Sequence, residues 1–421
     1  MMWKKYKICD IATVLSGATP ATSDLANYDG EIVWITPKDL ALNNSKYISR
    51  GERNLTEKGY KGCSTQLIPP YNILMSSRAP IGLLAINRTE CCTNQGFKNL
   101  VIDKSICDVD FFYYYLKYHI AEVQALGSGT TFKEVSKSSL QSFVVSLPSL
   151  DEQKQIANIL STLDEKIALN RQINDNLEAM ARQLYDYWFV QFDFSDENGR
   201  PYKSSGGKMV WNEKLKQNIP MGWIVEDISK IADVYNGATP STKEERNYGG
   251  NIVWITPKDL SDQKSKFVYY GERNITQKGY DSCSTHMLPI GTVLMSSRAP
   301  IGLLSIAKSE LCTNQGFKSF VPKKETLGSY LYYYILLHIK QIEQLGTGTT
   351  FKEISRDDVM TYPILVPKEE LLNKWAEFVF PIDNRQFEIQ QENKKLTKQR
   401  DELLPLLMNG QVSVNYHLQN L

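Results

Sequence analysis

The sequence predicts an α+β fold, in which two duplicated globular α/β domains are joined by two long helices that form an antiparallel coiled coil with pseudo-twofold symmetry. Three observations predict it: a long internal repeat, short strand and helix signals inside each copy, and a heptad-like apolar pattern after each copy. Residues 32–98 align without a gap to residues 252–318, and 43 of the 67 pairs are identical, which indicates a common origin. Solenoid units are only tens of residues long, so this repeat is a duplicated domain.

Composition narrows the class of protein. The chain has 421 residues, enough for two or three domains with ordinary hydrophobic cores, and a net charge of only +1 argues against a uniformly basic DNA coat. No apolar run is long enough to span a membrane, so no membrane partner is expected. The seven cysteines form no CxxC pair, and an odd count in a chain without a recognisable signal segment predicts reduced thiols and a cytoplasmic location.

Each globular part has the signals of a mixed domain. Short runs at 31–35 and 72–75 lie between turn residues and predict strands, whereas 111–126 and 329–345 predict helices. Each helix contains a Tyr triplet, which is more typical of a core than of a stacking platform. The first domain is expected over 1–148 and the second over 223–367.

The two long helices are predicted from their apolar periodicity. Ser149 and Glu152 have the spacing of a capping box after Pro148, and apolar residues then recur every three or four positions up to Tyr187. We expect helices over 149–192 and 368–410, a linker over 193–222 and a tail over 411–421. Each seam is narrow, so each helix should pair with one partner, most simply the other helix. The predicted seam residues are Ile156, Leu160, Leu163, Ile167, Leu177, Leu184, Trp375, Val379, Ile382, Leu396 and Leu403.

Searches for catalytic motifs fail at each place tried. The sequence has no phosphate-binding P-loop and no HExxH or Cys/His cluster, so no metal site is expected. The 68–71 string Ile-Pro-Pro-Tyr resembles a loop of amino-methyltransferases, but Ile68 cannot accept a hydrogen bond from an amino group. Asp164-Glu-Lys166 has the spacing of a nuclease triplet, but it lies on the predicted coiled-coil helix. The sequence therefore predicts a binding protein without catalytic residues.

The duplicated polar strings contain side chains that suit DNA. Arginine can donate two hydrogen bonds to guanine, asparagine and glutamine can pair with adenine, and glycine-rich loops with hydroxyls can approach phosphates. The strings are 36–38, 76–78, 93–98 and 129–133, with their counterparts in the second copy. The candidate DNA-binding residues are Thr36, Lys38, Ser77, Arg78, Asn94, Gln95, Lys98, Thr130, Thr131 and Lys133, and Thr256, Lys258, Ser297, Arg298, Asn314, Gln315, Lys318, Thr349, Thr350 and Lys352.

Two other interpretations remain open at this point. The polar strings could simply be turn and capping residues that a recent duplication has left alike. The chain could also be a non-catalytic two-headed adaptor that binds two copies of a protein or peptide, and the salt dependence of DNA binding would separate this alternative from DNA reading.

The chain resembles the specificity (S) subunit of type I restriction-modification systems over nearly its whole length. The resemblance rests on the 17–20 string, the Trp34 strand, the 77–82 and 94–95 strings, and the 127–132 loop. The segment 146–156, Ser-Leu-Pro-Ser-Leu-Asp-Glu-Gln-Lys-Gln-Ile, resembles the family's start of a long helix. The corresponding 366–370 segment, Val-Pro-Lys-Glu-Glu, lacks the Glu-Gln pair.

The resemblance implies a reader of bipartite double-stranded DNA sites that is itself non-catalytic. Its two globular parts would be target-recognition domains, and its helices would space these domains and dock two methyltransferase (M) subunits, through which R subunits join. It also implies that the chain binds no cofactor, with S-adenosylmethionine on the M subunits and ATP and magnesium on the R subunits.

Overall fold

The computed structural model describes residues 3–43, 45–129, 133–298, 300–347 and 352–412. The chain forms two compact units, one made of Met1–Gln172 with Glu392–Leu421 and the other of Ile173–Gln391. Each unit therefore holds one copy of the repeat together with a part of both long helices. Among the helices that the structure describes, none is both long and apolar enough to span a lipid bilayer.

The first repeat is built around a five-stranded sheet. Its strands follow the order Ala12–Ser16, Lys98–Ile102, Ile73–Met75, Leu84–Asn87 and Tyr47–Ile48. All neighbours are antiparallel except the last pair, which is parallel. The predicted strand at 72–75 is the central strand, and its buried side chains explain its apolar sequence.

Smaller sheets and short helices complete the first repeat. Tyr28–Ile35 lies between Asn54–Leu55 and Cys92–Thr93, and Lys4–Lys7 pairs with Val144–Leu147. The helices are Ile8–Ile11, Leu25–Asn27, Pro37–Leu42, Glu57–Lys61, Val109–Tyr118, Ile120–Ala125 and Lys137–Gln141. The helix predicted over 111–126 is thus interrupted at His119.

The second repeat has the same architecture. Its five-stranded sheet follows the order Ala232–Asn236, Phe317–Pro322, Val293–Ser296, Leu304–Ala307 and Phe267–Val268. The other strands are Tyr248–Ile252, Trp254–Ile255 with Cys312–Thr313, and Ile224–Asp227 with Pro363–Val366. The helices are Ile228–Lys230, Glu245–Asn247, Pro257–Gln263, Gln277–Asp281, Leu327–Gln344 and Arg356–Met360.

The tyrosine triplets belong to the cores, as predicted. Residues 113–115 and 332–334 are buried on the helix that follows each sheet. Some of their hydroxyls have polar partners: Tyr114 donates to Asp164 at 2.7 Å, and Tyr334 donates to the carbonyl of Pro363 at 2.9 Å. These two rings therefore contribute apolar area while their hydroxyls stay hydrogen-bonded.

The two long helices are Leu150–Tyr185, continued by a short turn at Asp186–Val190, and Glu369–Met408. At about 1.5 Å per residue, their lengths are about 54 and 60 Å. Ser149 caps the first helix by accepting a hydrogen bond from the backbone of Glu152. Buried Gln153 then donates to the carbonyls of Ile106 and Pro148, which ties this helix to the first repeat.

Within each unit the helices run antiparallel. In the first unit, Asp164 pairs with Arg400 at 2.8 Å, and Asn170 donates to Asn393 at 3.0 Å. As the residue number rises along the first helix, the number of the contacted residue on the second helix falls, so the two helices run in opposite directions. In the second unit, Gln386 donates to Glu178 at 3.3 Å, and the same order continues where the ring of Trp375 contacts Trp188 and Tyr185.

The seam residues are buried or half-buried, and several of them pack against the globular parts as well as against the other helix. Ile156, Leu160 and Leu403 pack into the core of the first repeat, and Leu184, Trp375, Val379 and Ile382 into that of the second. Ile167 is buried, and Leu163, Leu177 and Leu396 are half-buried. The expectation that each helix needs only one partner was wrong, because one face of each helix covers a globular core as well. Three further apolar residues at the same spacing are more exposed: Met180 at 57%, and Tyr187 and Leu406 at 37% each.

The predicted linker contains more structure than its turn-rich composition indicates. Met209–Asn212 and Gln217–Pro220 form an antiparallel hairpin. Phe192 and Phe194 pack against the ring of Trp223 in the second core, at ring distances of 5.5 and 5.4 Å. The aromatic residues hold this segment on the second repeat, whereas the polar residues between them form its exposed turns.

Candidate nucleic-acid interface

The duplicated polar strings of the first repeat converge at one place. The backbone N–H of Ser77 donates to the carbonyl of Gly96 at 2.7 Å, and that of Asn94 donates to Ile35 at 3.2 Å. The N–H of Val135 donates to Ser77 at 3.0 Å, which brings in the end of the glycine loop. We define the first candidate surface by the described residues of these strings: Thr36, Lys38, Ser77, Arg78, Asn94, Gln95, Lys98 and Lys133. Thr130 and Thr131 lie outside the described residues.

The same convergence occurs in the second repeat. Ser297 donates to the carbonyl of Gly316 at 2.8 Å, Asn314 to Ile255 at 3.0 Å, and Ile354 to Ser297 at 3.0 Å, all through backbone N–H groups. The second candidate surface consists of Thr256, Lys258, Ser297, Arg298, Asn314, Gln315, Lys318 and Lys352. Thr349 and Thr350 lie outside the described residues.

A glycine makes the close approach of these loops possible. A Cβ atom on Gly96 would lie 3.1 Å from Cγ of Pro37 and 3.6 Å from Nε of Arg78. At Gly316 the equivalent atom would lie 2.9 Å from Cγ of Pro257. The 36–38 and 93–98 strings can therefore touch only because the second string carries glycine at this position.

The exposed members of the surfaces are long polar side chains. Lys133, Lys352, Gln95 and Gln315 face solvent. Lys38 and Lys258 are exposed too, and pair with Glu52 at 2.6 Å and with Glu272 at 2.7 Å. The hydrogen bond to the acid raises the pKa of each of these two lysines above its ordinary value. Such exposed pairs are weak, so either ammonium can exchange its carboxylate for a phosphate.

Thr36 and Thr256 shape their loops. Each is the N-cap of a short helix, and its hydroxyl donates to Asp39 or Asp259 at 2.6 Å. The threonine hydroxyl oxygen also accepts from the backbone N–H of the same aspartate at 3.4 Å, and the threonine N–H donates to the aspartate carboxylate at 2.7 Å, so the two residues form a capping box. Their hydroxyls are therefore already used, which favours a structural role over contact with DNA.

Four candidates lie beneath the surfaces. Ser77 and Ser297 are fully buried, and Lys98 and Lys318 nearly so. The ammonium of Lys98 lies 3.0 Å from Oε1 of Glu134, and that of Lys318 lies 3.6 Å from Oε1 of Glu353. Burial lowers the pKa of Lys318, and the nearby glutamate opposes this effect. A buried ammonium needs such a partner, so these lysines support the surfaces from below.

The arginines lie at the surface, half-buried. Nη2 of Arg298 donates to Oε1 of Glu353 at 3.3 Å and approaches the carbonyl of Gln315 at 3.5 Å. The backbone of Arg78 bridges to that of Glu134, as Arg298 bridges to Glu353. Each arginine is thus placed beside a glutamate that the sequence did not single out. The one available signal was its position at the end of the repeated string Gly-Thr-Thr-Phe-Lys-Glu.

A further loop joins each surface. The hydroxyl of Thr19 donates to the side-chain oxygen of Gln95, and Thr239 donates to Gln315 in the same way. The backbone N–H of Ala18 also donates to the carbonyl of Thr93 at 3.0 Å. In the sequence, the 17–20 string of this loop carries part of the resemblance but predicts no binding residue. Its threonines orient the exposed amides.

Metal or thiol chemistry has no support in these regions. Across the part of the chain that the structure describes, no three His, Cys, Asp or Glu side chains are grouped to hold a metal. The repeated cysteines Cys92 and Cys312 are buried, and desolvation raises the pKa of each thiol to about 12. They act as small core residues, since reactivity requires the thiolate. What the surfaces offer is hydrogen-bond donors and cations, with the carboxylates of Glu52 and Glu134 beside the first surface and those of Glu272 and Glu353 beside the second.

The sequence is similar to those of proteins from one known family. The family model described as "Type I restriction modification DNA specificity domain" matches residues 2–179 and 220–398. The chain is 30% identical to the type I restriction enzyme MjaIX specificity subunit of Methanocaldococcus jannaschii, over 98% of this chain and 94% of that protein. It is 26% identical to the HindI specificity subunit of Haemophilus influenzae, over 67% of this chain and 72% of that protein.

A solved structure shares the fold. The S subunit of a type I restriction-modification system from M. genitalium superposes with a TM-score of 0.63 at 17% identity, covering 96% of both chains. Together with the two matched domains, this likeness confirms the predicted fold class of two like α/β domains with long helices.

Proposed function

This chain belongs to the family of type I restriction-modification DNA specificity subunits, and from that premise we propose that it reads a bipartite, near-palindromic site in double-stranded DNA. Each repeat contacts one half-site through its candidate surface. As a specificity subunit, the chain is a non-catalytic component of its complex.

The observation that carries this proposal is the duplicated convergence of the same loops. Residue types that can read base edges, Arg78 and Gln95 among them, reach one surface in the first repeat, and Arg298 and Gln315 do so in the second. Exposed lysines beside them can contact phosphates, which position a protein on DNA without specifying sequence. A net charge of +1 is compatible with this, because the positive groups are local.

The long helices are the proposed docking site of two M subunits, through which R subunits join the complex. In the second unit, Met180 and Phe378 expose 57% and 56% of their surface. Large exposed apolar side chains on helices that already cover two cores support the proposal that a protein partner binds along these helices. We further propose that the chain works in the cytoplasm and binds no cofactor itself, with S-adenosylmethionine on the M subunits and ATP and magnesium on the R subunits.

Expression of the full chain with its M subunit tests the proposal. Single-molecule sequencing of host DNA should show methylated adenines in one bipartite motif, absent from cells that express the M subunit alone. The purified complex should bind a duplex with this motif more tightly than a scrambled duplex, and binding should weaken as salt rises, as phosphate contacts require. A complex that assembles but binds both duplexes no better than the M subunit alone would favour the adaptor alternative.

A further inference from the structure

One carboxylate occupies the same place on both candidate surfaces. Glu134 and Glu353 close the repeated glycine-loop string, and their side chains are 39% and 43% exposed. An acid is unexpected here, because it repels the phosphates that a DNA-binding surface must approach. Its presence in both repeats therefore points to a use that outweighs this repulsion.

Both the backbone N–H and the backbone carbonyl of each glutamate are hydrogen-bonded. Glu134 donates to the carbonyl of Ser128 at 3.0 Å and accepts from the same residue at 3.1 Å. Glu353 exchanges the same two bonds with Thr347, at 3.0 and 3.1 Å. A group that is already ordered loses little conformational entropy when a ligand binds, which suits a reading position.

A buried lysine lies under each carboxylate and uses one of its oxygens. Oε1 of Glu134 faces the ammonium of Lys98, and Oε1 of Glu353 faces Lys318. An ionised carboxylate accepts hydrogen bonds and cannot donate them. Because the side chains remain partly exposed, each surface presents an acceptor to its ligand.

Each glutamate lies beside an arginine. In the second repeat, Nη2 of Arg298 is 3.3 Å from Oε1 of Glu353, and in the first repeat Arg78 and Glu134 are backbone bridge partners. A guanidinium next to a carboxylate is the complement of one G·C base pair in the major groove. Guanine presents the acceptors O6 and N7, and cytosine presents the N4 amino donor next to them.

Adenine fits this pair of side chains less well. Its N6 amino group can donate to the carboxylate and its N7 can accept one hydrogen bond from the arginine, but guanine offers the arginine two acceptors, O6 and N7. Thymine offers only the O4 acceptor and a methyl group, so it cannot donate to a glutamate at all.

We propose that Glu134 with Arg78, and Glu353 with Arg298, each read one G·C base pair, the arginine donating to guanine and the glutamate accepting from N4 of cytosine. This inference rests on the proposed DNA-reading function and adds a specificity-determining residue to each half of it.

Glu→Gln substitutions in the full complex test the inference. The methylated motif is read from host DNA after expression of the wild-type chain, E134Q, E353Q or the double variant with the M subunit. Glutamine keeps the size and an oxygen for the buried lysine, but its amide also donates, so bases with an acceptor at this place become tolerated. We expect E134Q to lower discrimination at one G·C position by roughly tenfold in one half-site only. E353Q should do so in the other half, and the double variant in both.

Glu57→Gln is the matched control. Glu57 is exposed and pairs with Lys61 at 3.0 Å, and the second repeat already has Gln277 at the equivalent position. This variant should leave the motif unchanged. An unchanged motif in E134Q and E353Q, or methylation that falls alike at every position, would show that the glutamates only neutralise Lys98 and Lys318. A wild-type motif without a G·C pair in either half-site would also overturn the inference. If the wild-type chain produced no bipartite motif, the proposed function would fail first.

Discussion

The carboxylate of Asp164 accepts a hydrogen bond from Nη1 of Arg400 at 2.8 Å and another from the hydroxyl of Tyr114 at 2.7 Å. In the first unit, this one acid thus joins both long helices to the tyrosine-rich helix of the globular part. The side chains of Asp164 and Arg400 are only 16% and 17% exposed. Because the pair is largely buried, removing either side chain would leave the charge of the other poorly compensated.

Removing Asp164 should destabilise the first unit. Asp164→Ala leaves the Arg400 guanidinium with only the exposed Asp401 at 2.7 Å, and we expect a loss of about 3 kcal/mol in the free energy of unfolding. Lys398→Met removes the exposed Lys398–Glu402 pair of the same helix, at 3.8 Å, and should change stability by less than about 1 kcal/mol. Urea titration followed by circular dichroism measures both, and equal small losses would contradict the structural importance of Asp164.

Asp164 and Asp383, at corresponding positions of the two long helices, show which contacts can be predicted from the sequence. Asp164 lies on the predicted coiled-coil helix, and its contacts with Arg400 and Tyr114 are structural. In the second unit, Asp383 instead pairs with Lys266 of the globular part at 2.7 Å. The sequence has an acid at this place in both helices, but it does not show that the partners differ between the copies.

The sequence predicted which loops form the candidate surfaces, but not which of their side chains are buried. Repeated polar strings identified the loops that converge, and Arg78 lies at that surface. Residue type alone could not show that Ser77 and Lys98 are buried, because burial depends on which strands flank them. An acid is not typical of a DNA-binding loop, so residue type does not indicate Glu134 either. Its distance of 3.0 Å from Lys98 places it at the site.

Phe378 should be needed for assembly and not for folding. Its side chain is 56% exposed on the second long helix, so Phe378→Glu buries no charge in the free chain. If the M subunit covers this face, the glutamate is desolvated on binding, and we expect loss of the complex on size exclusion with an unchanged melting temperature. Leu25→Glu, at a leucine of the first repeat that is 74% exposed, is the matched control and should leave assembly intact. Assembly of the Phe378 variant at wild-type affinity would place the M subunit elsewhere.

Arg78 and Arg298 should contribute to specificity more than to stability. Each is half-buried at its candidate surface, and Arg298 pairs with the partly exposed Glu353. If each arginine donates to a guanine, then Arg78→Ala and Arg298→Ala should each weaken binding to the cognate duplex by about 1–3 kcal/mol and change binding to a scrambled duplex much less. Equal losses on both duplexes would indicate phosphate contacts, and a lower melting temperature without DNA would indicate a structural role. Titrations of both duplexes with parallel thermal melts distinguish these results.

His338 should make the second unit less stable in mild acid. Its ring stacks on Tyr334 at 4.2 Å and its Nδ1 lies 2.8 Å from the carbonyl of the same residue. Burial lowers the pKa of His338 below its ordinary value of about 6.5. The unfolded chain therefore takes up a proton as the pH falls below that value, while the folded chain does so only at lower pH, and stability is lost over this interval. The melting temperature of the wild-type chain should fall more between pH 7.5 and about 5.5 than that of His338→Gln, which cannot titrate. Parallel curves for the two proteins would contradict this assignment.

The repeat itself predicts the form of the DNA site. The chain order is repeat, helix, repeat, helix, and the candidate strings 36–38, 76–78 and 93–98 are the same in both copies. With the pseudo-twofold symmetry that the sequence predicts, like surfaces meet opposite strands, because a dyad in the protein requires a dyad in the site.

We therefore expect an interrupted palindrome with one methylated adenine in each half, on opposite strands. Helices of about 54 and 60 Å correspond to about 1.6 to 1.8 turns of B-DNA, at about 34 Å per turn, which predicts a non-specific spacer of several base pairs between the halves. The halves should differ, if at all, where residues 41–50 and 261–270 diverge. There the short helix ends at Leu42 in the first repeat but extends to Gln263 in the second, one residue further by alignment. Replacing 41–50 with 261–270 should make the two halves of the methylated motif identical, whereas a wild-type motif with two unrelated halves would show that like loops read unlike bases.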